Sequence, residues 1–323
     1  MKKIMVAWVK YQRRADCMQE HWGYDLRHIH TSFGSSIISK PLDYIVKIVK
    51  TFAILFTERP DQLWIQLPPS LLLHIAFIYK FVFKKDCAII ADLHNSMLRD
   101  KWMKFPFARA LLNKMDVVLA HNKAVSEELK ALGINENIVH VLEDYPFQYD
   151  LDSVSKRDDQ NEKYIIFPCS FDIDEPIETV LKAAKLSDIN FYITGNSKKF
   201  VNSDNVEIPK NVFFTNYLSK PEYDALLLNA TMVLGMTTRQ NVQLSVANEG
   251  LSACKPLILS NTTTLRDLYS DAAQLIDNDD PESLAGAIQK VLSDLDGMAE
   301  RTKTLMQRRT ERWKRQAATI MYP

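Results

Sequence analysis

The segment TMVLGMTTRQNVQLSVANEGLSACKPLILSN, residues 231–261, decides the fold. A short apolar run (231–236) gives way to the polar stretch Thr237–Asn241, a helical pattern follows over 242–253, and Lys255-Pro256 leads into a second apolar run, PLILS (256–260). Strand, polar turn, helix and strand in that order make a parallel crossover unit. The helix that opens after Asn241 offers unpaired backbone N–H groups to an anion. Arg239 stands just before it to add a charge-assisted contact, and Glu249 lies about two turns inside.

Outward from this segment the same alternation repeats. Upstream lie apolar runs at 163–169, 190–194 and 212–215, with helices expected at about 175–186 and 219–229; downstream come a strand at 272–276 and a helix over 281–294. Residues 143–163 interrupt the pattern with a charged stretch containing a proline and no sustained apolar period, as a linker would. Before it, a further series of strands is expected at 3–9, 26–31, 62–66, 87–91, 116–120 and 138–142. The expectation is an α/β chain of two Rossmann-like, doubly wound domains facing across a cleft: 1–150, and 163–299. The tail from 298 to 322 is helical by pattern and carries Leu305, Trp313 and Ile320 among many basic residues.

Composition bounds the function. With 323 residues, 40 basic and 40 acidic, the chain has no net charge to suggest nucleic acid as a partner. Its four cysteines, Cys17, Cys87, Cys169 and Cys254, are far apart and form neither a zinc nor a redox pattern. The basic N-terminus has its apolar run broken by Lys10 and lacks a cleavage-site pattern, and no apolar stretch reaches the length of a spanning helix, so a cytoplasmic protein is expected.

In open parallel sheets ligands sit beyond the carboxyl ends of the strands, and four such ends stand out. In QLPPS (66–70), Pro68 and Pro69 end a strand and Ser70 can cap the next helix; a rigid turn and a cleft contact are both open readings. ADLHNS (91–96) concentrates Asp92, His94 and Asn95 after a buried strand, where unpartnered polar groups are costly. A carboxylate two residues before a histidine at that place points to catalysis or substrate contact. ITGNSKK (193–199) has Gly195 for a tight turn and Lys198 and Lys199 within reach of a phosphate, although a solvated loop would look the same. The fourth end is Thr237–Asn241.

These residues resemble a known family. NEGLSACKPLILSN is similar to the E-A-x-A-x-G-K-P-x-I-x-S segment of GT-B glycosyltransferases (group 1), related to the bacterial lipid and polysaccharide mannosyl- and glucosyltransferases, with Glu249 on the ribose-binding glutamate. Asp280, Ser283, Leu284 and Ala285 follow the D-x-x-x-L-A core of that family's later segment. QLPPS and ADLHNS resemble the Q-x-P-P and D-x-H-N segments of β-mannosyltransferases that elongate chitobiosyl-diphospholipids.

The resemblance implies a hexosyltransferase that moves a sugar from a UDP- or GDP-sugar to a hydroxyl of a saccharide or lipid-linked acceptor in cell-surface glycan synthesis. It implies no cofactor and no metal, with Asp172-Ile173-Asp174 read as a loop, not a metal motif. Asp92 and His94 take the catalytic place; Glu249, Arg239, Asn241, Gly195 and Lys198 the donor site; Pro68, Pro69 and Asn95 the acceptor cleft. The family's habit of returning its last helix to the first domain would put residues 300–323 there.

Three departures bear on activity. Asn241 stands where the first glutamate of the family's E-x7-E pair belongs, the usual Arg/Lys pair is absent from PCSFDIDEP (168–176), and KYQRR (10–14) replaces a glycine-rich loop. A non-catalytic GT-B-like binding or scaffold subunit is therefore the alternative, and a sugar-nucleotide epimerase a third, lacking identifiable acid/base residues. Residues 42–57 place Ile45, Ile48, Val49, Phe52, Leu55 and Phe56 at helical spacing beside Lys47 and Lys50, with Lys80, Lys84 and Lys85 on the next helix. Two core helices and a peripheral surface for an anionic inner membrane are both consistent with that pattern.

Overall fold

A computed structural model describes residues 1–32, 39–147, 149, 162–201 and 207–320, without the side chains of 199 and 201; most of the expected linker lies outside these. Contacts divide the chain into two units, Met1–Tyr145 with Arg312–Pro323, and Pro146–Glu311.

The first unit is built on β1 (Lys3–Ala7), β2 (Asp25–His28), β3 (Gln62–Leu67), β4 (Ala88–Leu93), β5 (Val117–Ala120) and β6 (Val139–Val141), all parallel in the order β2-β1-β3-β4-β5-β6. The second strand is shorter than expected, because only Asp25–His28 pair with β1. Successive residues feed two cores. Ile4, Val6, Ile65, Ile89, Ala91 and Val118 pack with the helices that follow β2 and β3, while Met5, Trp64, Ile90 and Leu119 pack with Ala15, Met18 and Trp22 of the helix Arg13–Trp22. Burial on both faces is why these strands read as continuous apolar runs.

The helix Lys40–Glu58 fully buries only Thr51 and Leu55, so it is half-buried and not a core helix on all sides. Leu42, Ile45, Val49 and Phe56 remain exposed, as do Ile78, Phe81, Val82 and Phe83 around the end of the helix Leu71–Ile78. The last helix, Leu295–Ala318, carries residues of both units. In the first, Trp313 is buried against Trp22, His21 and Tyr145; Arg312 pairs with the buried Glu143 at 2.6 Å, and Gln316 exchanges hydrogen bonds with Glu143.

The second unit contains β7 (Tyr164–Pro168), β8 (Asn190–Thr194), β9 (Val212–Asn216), β10 (Met232–Gly235), β11 (Leu257–Ser260) and β12 (Ala273–Ile276), parallel in the order β12-β11-β10-β7-β8-β9. Counted within the unit this is the 3-2-1-4-5-6 order of nucleotide-binding sheets. Strand order reverses between β7 and β10, and in the first unit between β1 and β3. Those are the points at which an open sheet leaves a crevice.

The helix after β10 begins at Ser245, not 242, and ends at Ser252. Residues 237–244 are held outside it: Thr238 N–H donates to the carbonyl of Asp174, and the side chain of Gln240 accepts from Thr263 N–H. Gly250 lets this helix lie close on the sheet. A Cβ there would stand 2.6 Å from Leu257 Cδ2 and 3.1 Å from Val233 Cβ, so any side chain would lift the turn that carries Glu249.

Candidate active site

In the first unit, the carboxyl ends of β3, β4 and β5 and the loop after β1 bring polar residues together. The register sets Gln66 beside Asp92 and Asp92 beside Leu119, so the next residues out, His94 and His121, emerge side by side. Their rings meet edge to face, centroids 4.5 Å apart. β4 and β5 both run out into a His-Asn pair, His94-Asn95 and His121-Asn122. Asn122 caps the following helix by accepting from Val125 N–H at 2.9 Å, whereas Asn95 Oδ1 is buried without a partner among the described residues.

Asp92 is fully buried and holds a two-pronged ion pair with Arg14, whose Nε lies 3.1 and 3.2 Å from the two carboxylate oxygens and whose Nη2 lies 3.0 Å from Oδ1. Arg14 also donates to the carbonyls of Leu142 and Glu143 and to Asp144, each at 2.8 Å, which satisfies the rest of its fork. Burial alone would lower the Arg14 pKa, but the charges of Asp92 and Asp144 outweigh it and raise it. Burial likewise pushes the Asp92 carboxyl up, and the permanent charge of Arg14 more than reverses this and holds it below its usual value.

The histidines respond the other way. Burial lowers the pKa of His94, with Arg14 assisting against Asp92, and drives that of His121 well below the ordinary value. Both rings are neutral near pH 7. His121 Nε2 sits 3.8 Å from Asp92 Oδ1 and has no hydrogen-bond partner among the described residues. His94 Nε2 faces the amide nitrogens of Gln12 at 2.5 Å and Gln66 at 2.8 Å.

Asp92, His94 and His121 bring ligand atoms within 4.8 Å of one another, the one such group among the described residues. A cation does not suit them, because both Asp92 oxygens already accept from a permanent guanidinium. The cluster is a set of neutral imidazoles over a compensated buried charge. It can donate and accept hydrogen bonds to a polar substrate.

Pro68 and Pro69 carry the chain from β3 into the helix Leu71–Ile78, Pro69 buried and Pro68 partly exposed. Ser70 does not cap that helix as expected; its hydroxyl donates to the carbonyl of Trp102 at 2.7 Å.

In the second unit, the β7 and β10 loops meet across the reversal of strand order. Asp174 accepts from Arg239 Nη2 at 2.8 Å and from the Thr237 hydroxyl at 3.0 Å. Glu175 gathers the β7 loop by accepting from Ser170 N–H and Oγ, both at 2.7 Å, and from Asp172 N–H. Ser260 at the end of β11 accepts from Thr237 N–H, and Asn278 after β12 donates to the Thr237 carbonyl at 2.9 Å. The end of β10 is thus fixed by three neighbouring loops.

Glu249 is buried on its helix and accepts a short hydrogen bond from the hydroxyl of Tyr223. Arg239, expected to meet donor phosphates, is tied to Asp174 with its side chain one-third exposed (34%). Asn241 is half-buried in the loop before the helix. Gly195 has φ +103° and a Cβ there would stand 1.9 Å from the carbonyl oxygen of Cys169, so it shapes the turn after β8. Lys198 is exposed at the start of the short helix Lys198–Val201.

Several of these residues escape sequence reasoning. Arg14 and Gln12 lie in the stretch KYQRR that replaces a glycine-rich loop, and nothing local marks one of two adjacent arginines as buried. His121 had a readable signal, since VLAHN (118–122) repeats the apolar-run-then-His-Asn ending of ADLHN (91–95). Asp174, Tyr223 and Asn278 reach the second-unit site only through tertiary packing.

Comparison with known proteins agrees with this geometry. Residues 149–309 match the model of the family Glycosyl transferases group 1. No curated protein matches at the sequence level. Among solved structures, the chain resembles HepE of Anabaena in complex with UDP-glucose (TM-score 0.71, 14% identity, 99% of each chain covered). It also resembles a sucrose-phosphate synthase from Thermosynechococcus elongatus (TM-score 0.64, 14% identity, 99% of this chain and 100% of the other) and a glycosyltransferase from Rickettsia africae (TM-score 0.63, 12% identity, 99% of each). At these identities the likeness speaks for the fold, and the family match over the second half speaks for the chemistry. Residues 149–309 thus carry a Glycosyl transferases group 1 domain on the second, nucleotide-binding-type unit, and the chain as a whole has the two-domain GT-B fold.

Proposed function

We propose that this protein transfers a hexosyl group from a nucleotide sugar to a hydroxyl of a saccharide or lipid-linked acceptor, without a metal ion. The observation that carries the reading is the position of Glu249. It is a buried carboxylate on the helix that follows the strand-order reversal, held by Tyr223 and kept close to the sheet by Gly250, where it can accept from two ribose hydroxyls. Diphosphate charge is met by the N–H groups at Ser245, by Lys198 and by Arg239 once it is shared between phosphate and Asp174. HepE is known with UDP-glucose, which makes UDP-glucose the first donor to test and GDP-mannose the second.

On the first unit, His94 contacts the transferred sugar or the acceptor, and Asp92 acts through the electrostatics of the pocket. Acceptors that are lipid-linked fit the exposed apolar residues Leu42, Ile45, Val49, Phe56, Val82 and Phe83, with Lys50 and Lys85 nearby in sequence, as a surface for anionic lipid. Flotation with anionic vesicles tests that surface, and a protein left wholly in the soluble fraction sinks it.

The central test is calorimetric titration of UDP, GDP and their sugars, followed by release of nucleoside diphosphate in the presence of EDTA. Binding with turnover that EDTA leaves intact supports the proposal. Binding without turnover on any acceptor supports the scaffold reading, which the Arg239–Asp174 pair favours because it occupies the one arginine of that loop.

A further inference from the structure

The geometry points to Gln12 and Gln66 as positioning residues that hold His94 in its Nδ1–H tautomer, leaving Nδ1–H as the group presented to substrate. Two side-chain amides converge on one ring nitrogen. Gln12, in the loop after β1, and Gln66, at the end of β3, bring their nitrogens to 2.5 and 2.8 Å from His94 Nε2. An amide nitrogen is only a donor, so a ring nitrogen that faces two of them must be the unprotonated acceptor. The single imidazole proton then belongs on Nδ1.

The second nitrogen is the one left for a ligand. His94 Nδ1 has no hydrogen bond among the described residues, and the sealed, unpartnered ring nitrogen of this pocket is on His121, not on His94. Asp92, the neighbouring carboxylate, cannot compete for the His94 proton, because Arg14 occupies both its oxygens. His121 closes the other side of the ring edge to face. The two glutamines come from elements that flank the reversal of strand order between β1 and β3, so the crevice expected of the fold and the tautomer lock coincide.

The consequence is chemical. A ring locked in this way donates through Nδ1–H, to a sugar hydroxyl or to an oxygen that gains charge during transfer, and does not remove a proton through Nε2. The catalytic consequence rests on the glycosyltransferase reading above; the tautomer itself does not.

The experiment is carbon-detected NMR of the whole protein labelled with [13C,15N]histidine. The His94 resonance is identified by its loss in His94→Gln, and the Cδ2 shift, which separates the two neutral tautomers, is read at pH 8. Wild type is expected in the Nδ1–H form, and Gln12→Leu with Gln66→Leu is expected to move it to the mixed population of a free imidazole. An Nε2–H ring in wild type overturns the proposal, since both amides would then present their oxygens. So does an Nδ1–H ring that the double variant leaves unchanged. Gln12→Ala alone, in a loop, serves if the double variant fails to fold, with a partial shift expected. In turnover, the single Gln66→Leu variant is expected to lower kcat at least tenfold with donor KM within twofold, and to raise the pH of the acid limb, because a donor to the neutral ring has been removed. A purely structural role leaves that limb in place.

Discussion

Replacing Arg14 by leucine tests the electrostatic reasoning most sharply. In the native protein Asp92 is 0% exposed, and Arg14 supplies three of its contacts at 3.0–3.2 Å while also satisfying Asp144 and the carbonyls of Leu142 and Glu143. Removing one partner of a buried pair leaves an uncompensated charge, which costs about 3–5 kcal/mol. Against a total stability of about 5–15 kcal/mol this is a large fraction. For a unit of this size it lowers Tm by about 6–20 °C. All five tryptophans, Trp8, Trp22, Trp64, Trp102 and Trp313, lie in the first unit, so tryptophan fluorescence follows its unfolding without interference from the second.

The sign with pH is determined. In wild type the Asp92 pKa is below its unfolded value, so its stabilisation is present above about pH 4 and lost as pH falls through the folded value. Without Arg14, burial dominates and raises it, the native state then binds the extra proton, and the deficit of the variant shrinks as pH falls. A double variant, Arg14→Leu with Asp92→Asn, is expected to recover part of the loss. An Arg14→Leu deficit under about 1 kcal/mol, or one equal at pH 5 and pH 8, would refute the compensated-charge account.

Three further outcomes are expected. Glu249→Ala removes charge-assisted hydrogen bonds to ribose worth about 1.5–3 kcal/mol each, so the loss of even one lowers nucleotide affinity roughly 10- to 150-fold by calorimetry while the protein stays folded; unchanged affinity removes the ribose assignment. Gly195→Ala sets a Cβ 1.9 Å from the Cys169 carbonyl at φ +103° and costs about 1–3 kcal/mol in strain before the overlap is relieved, read by circular dichroism because the second unit has no tryptophan; a Tm within error of wild type contradicts the tight turn. Because His94 and His121 both have folded pKa values below 6.5, the unfolded chain binds protons first, and first-unit stability falls from about pH 6.5 downward; His121→Gln should flatten that slope by up to about 1.4 kcal/mol per pH unit, and an identical slope rules out its titration.

The fold was legible because its signals are local and repeated. Strands buried on both faces leave apolar runs such as CAII and PLILS that no solvent-facing strand would show, and each run is followed by a helical period or a turn. The boundaries were less legible where tertiary contacts decide them. The helix carrying Glu249 starts at Ser245 because Thr238 and Gln240 are held by Asp174 and Thr263, residues distant in sequence. Ser70 had the position of a cap, but the Trp102 carbonyl took its hydroxyl.

The site was half legible, and the missing half has one physical cause. A carboxylate and a histidine after a buried strand announce themselves because polar groups there are expensive, and that is how Asp92 and His94 stand out. What makes them affordable is invisible locally. The compensation comes from Arg14, 78 residues away, and the orientation from Gln12 and Gln66, 82 and 28 residues away from His94. An arginine in KYQRR reads as a surface residue until the fold closes over it. The same stretch that departs from a glycine-rich loop is therefore the one that supplies the counter-charge and a contact to the ring. A loop of glycines there would leave Asp92 buried and unpaired, so the departure and the carboxylate belong to one solution.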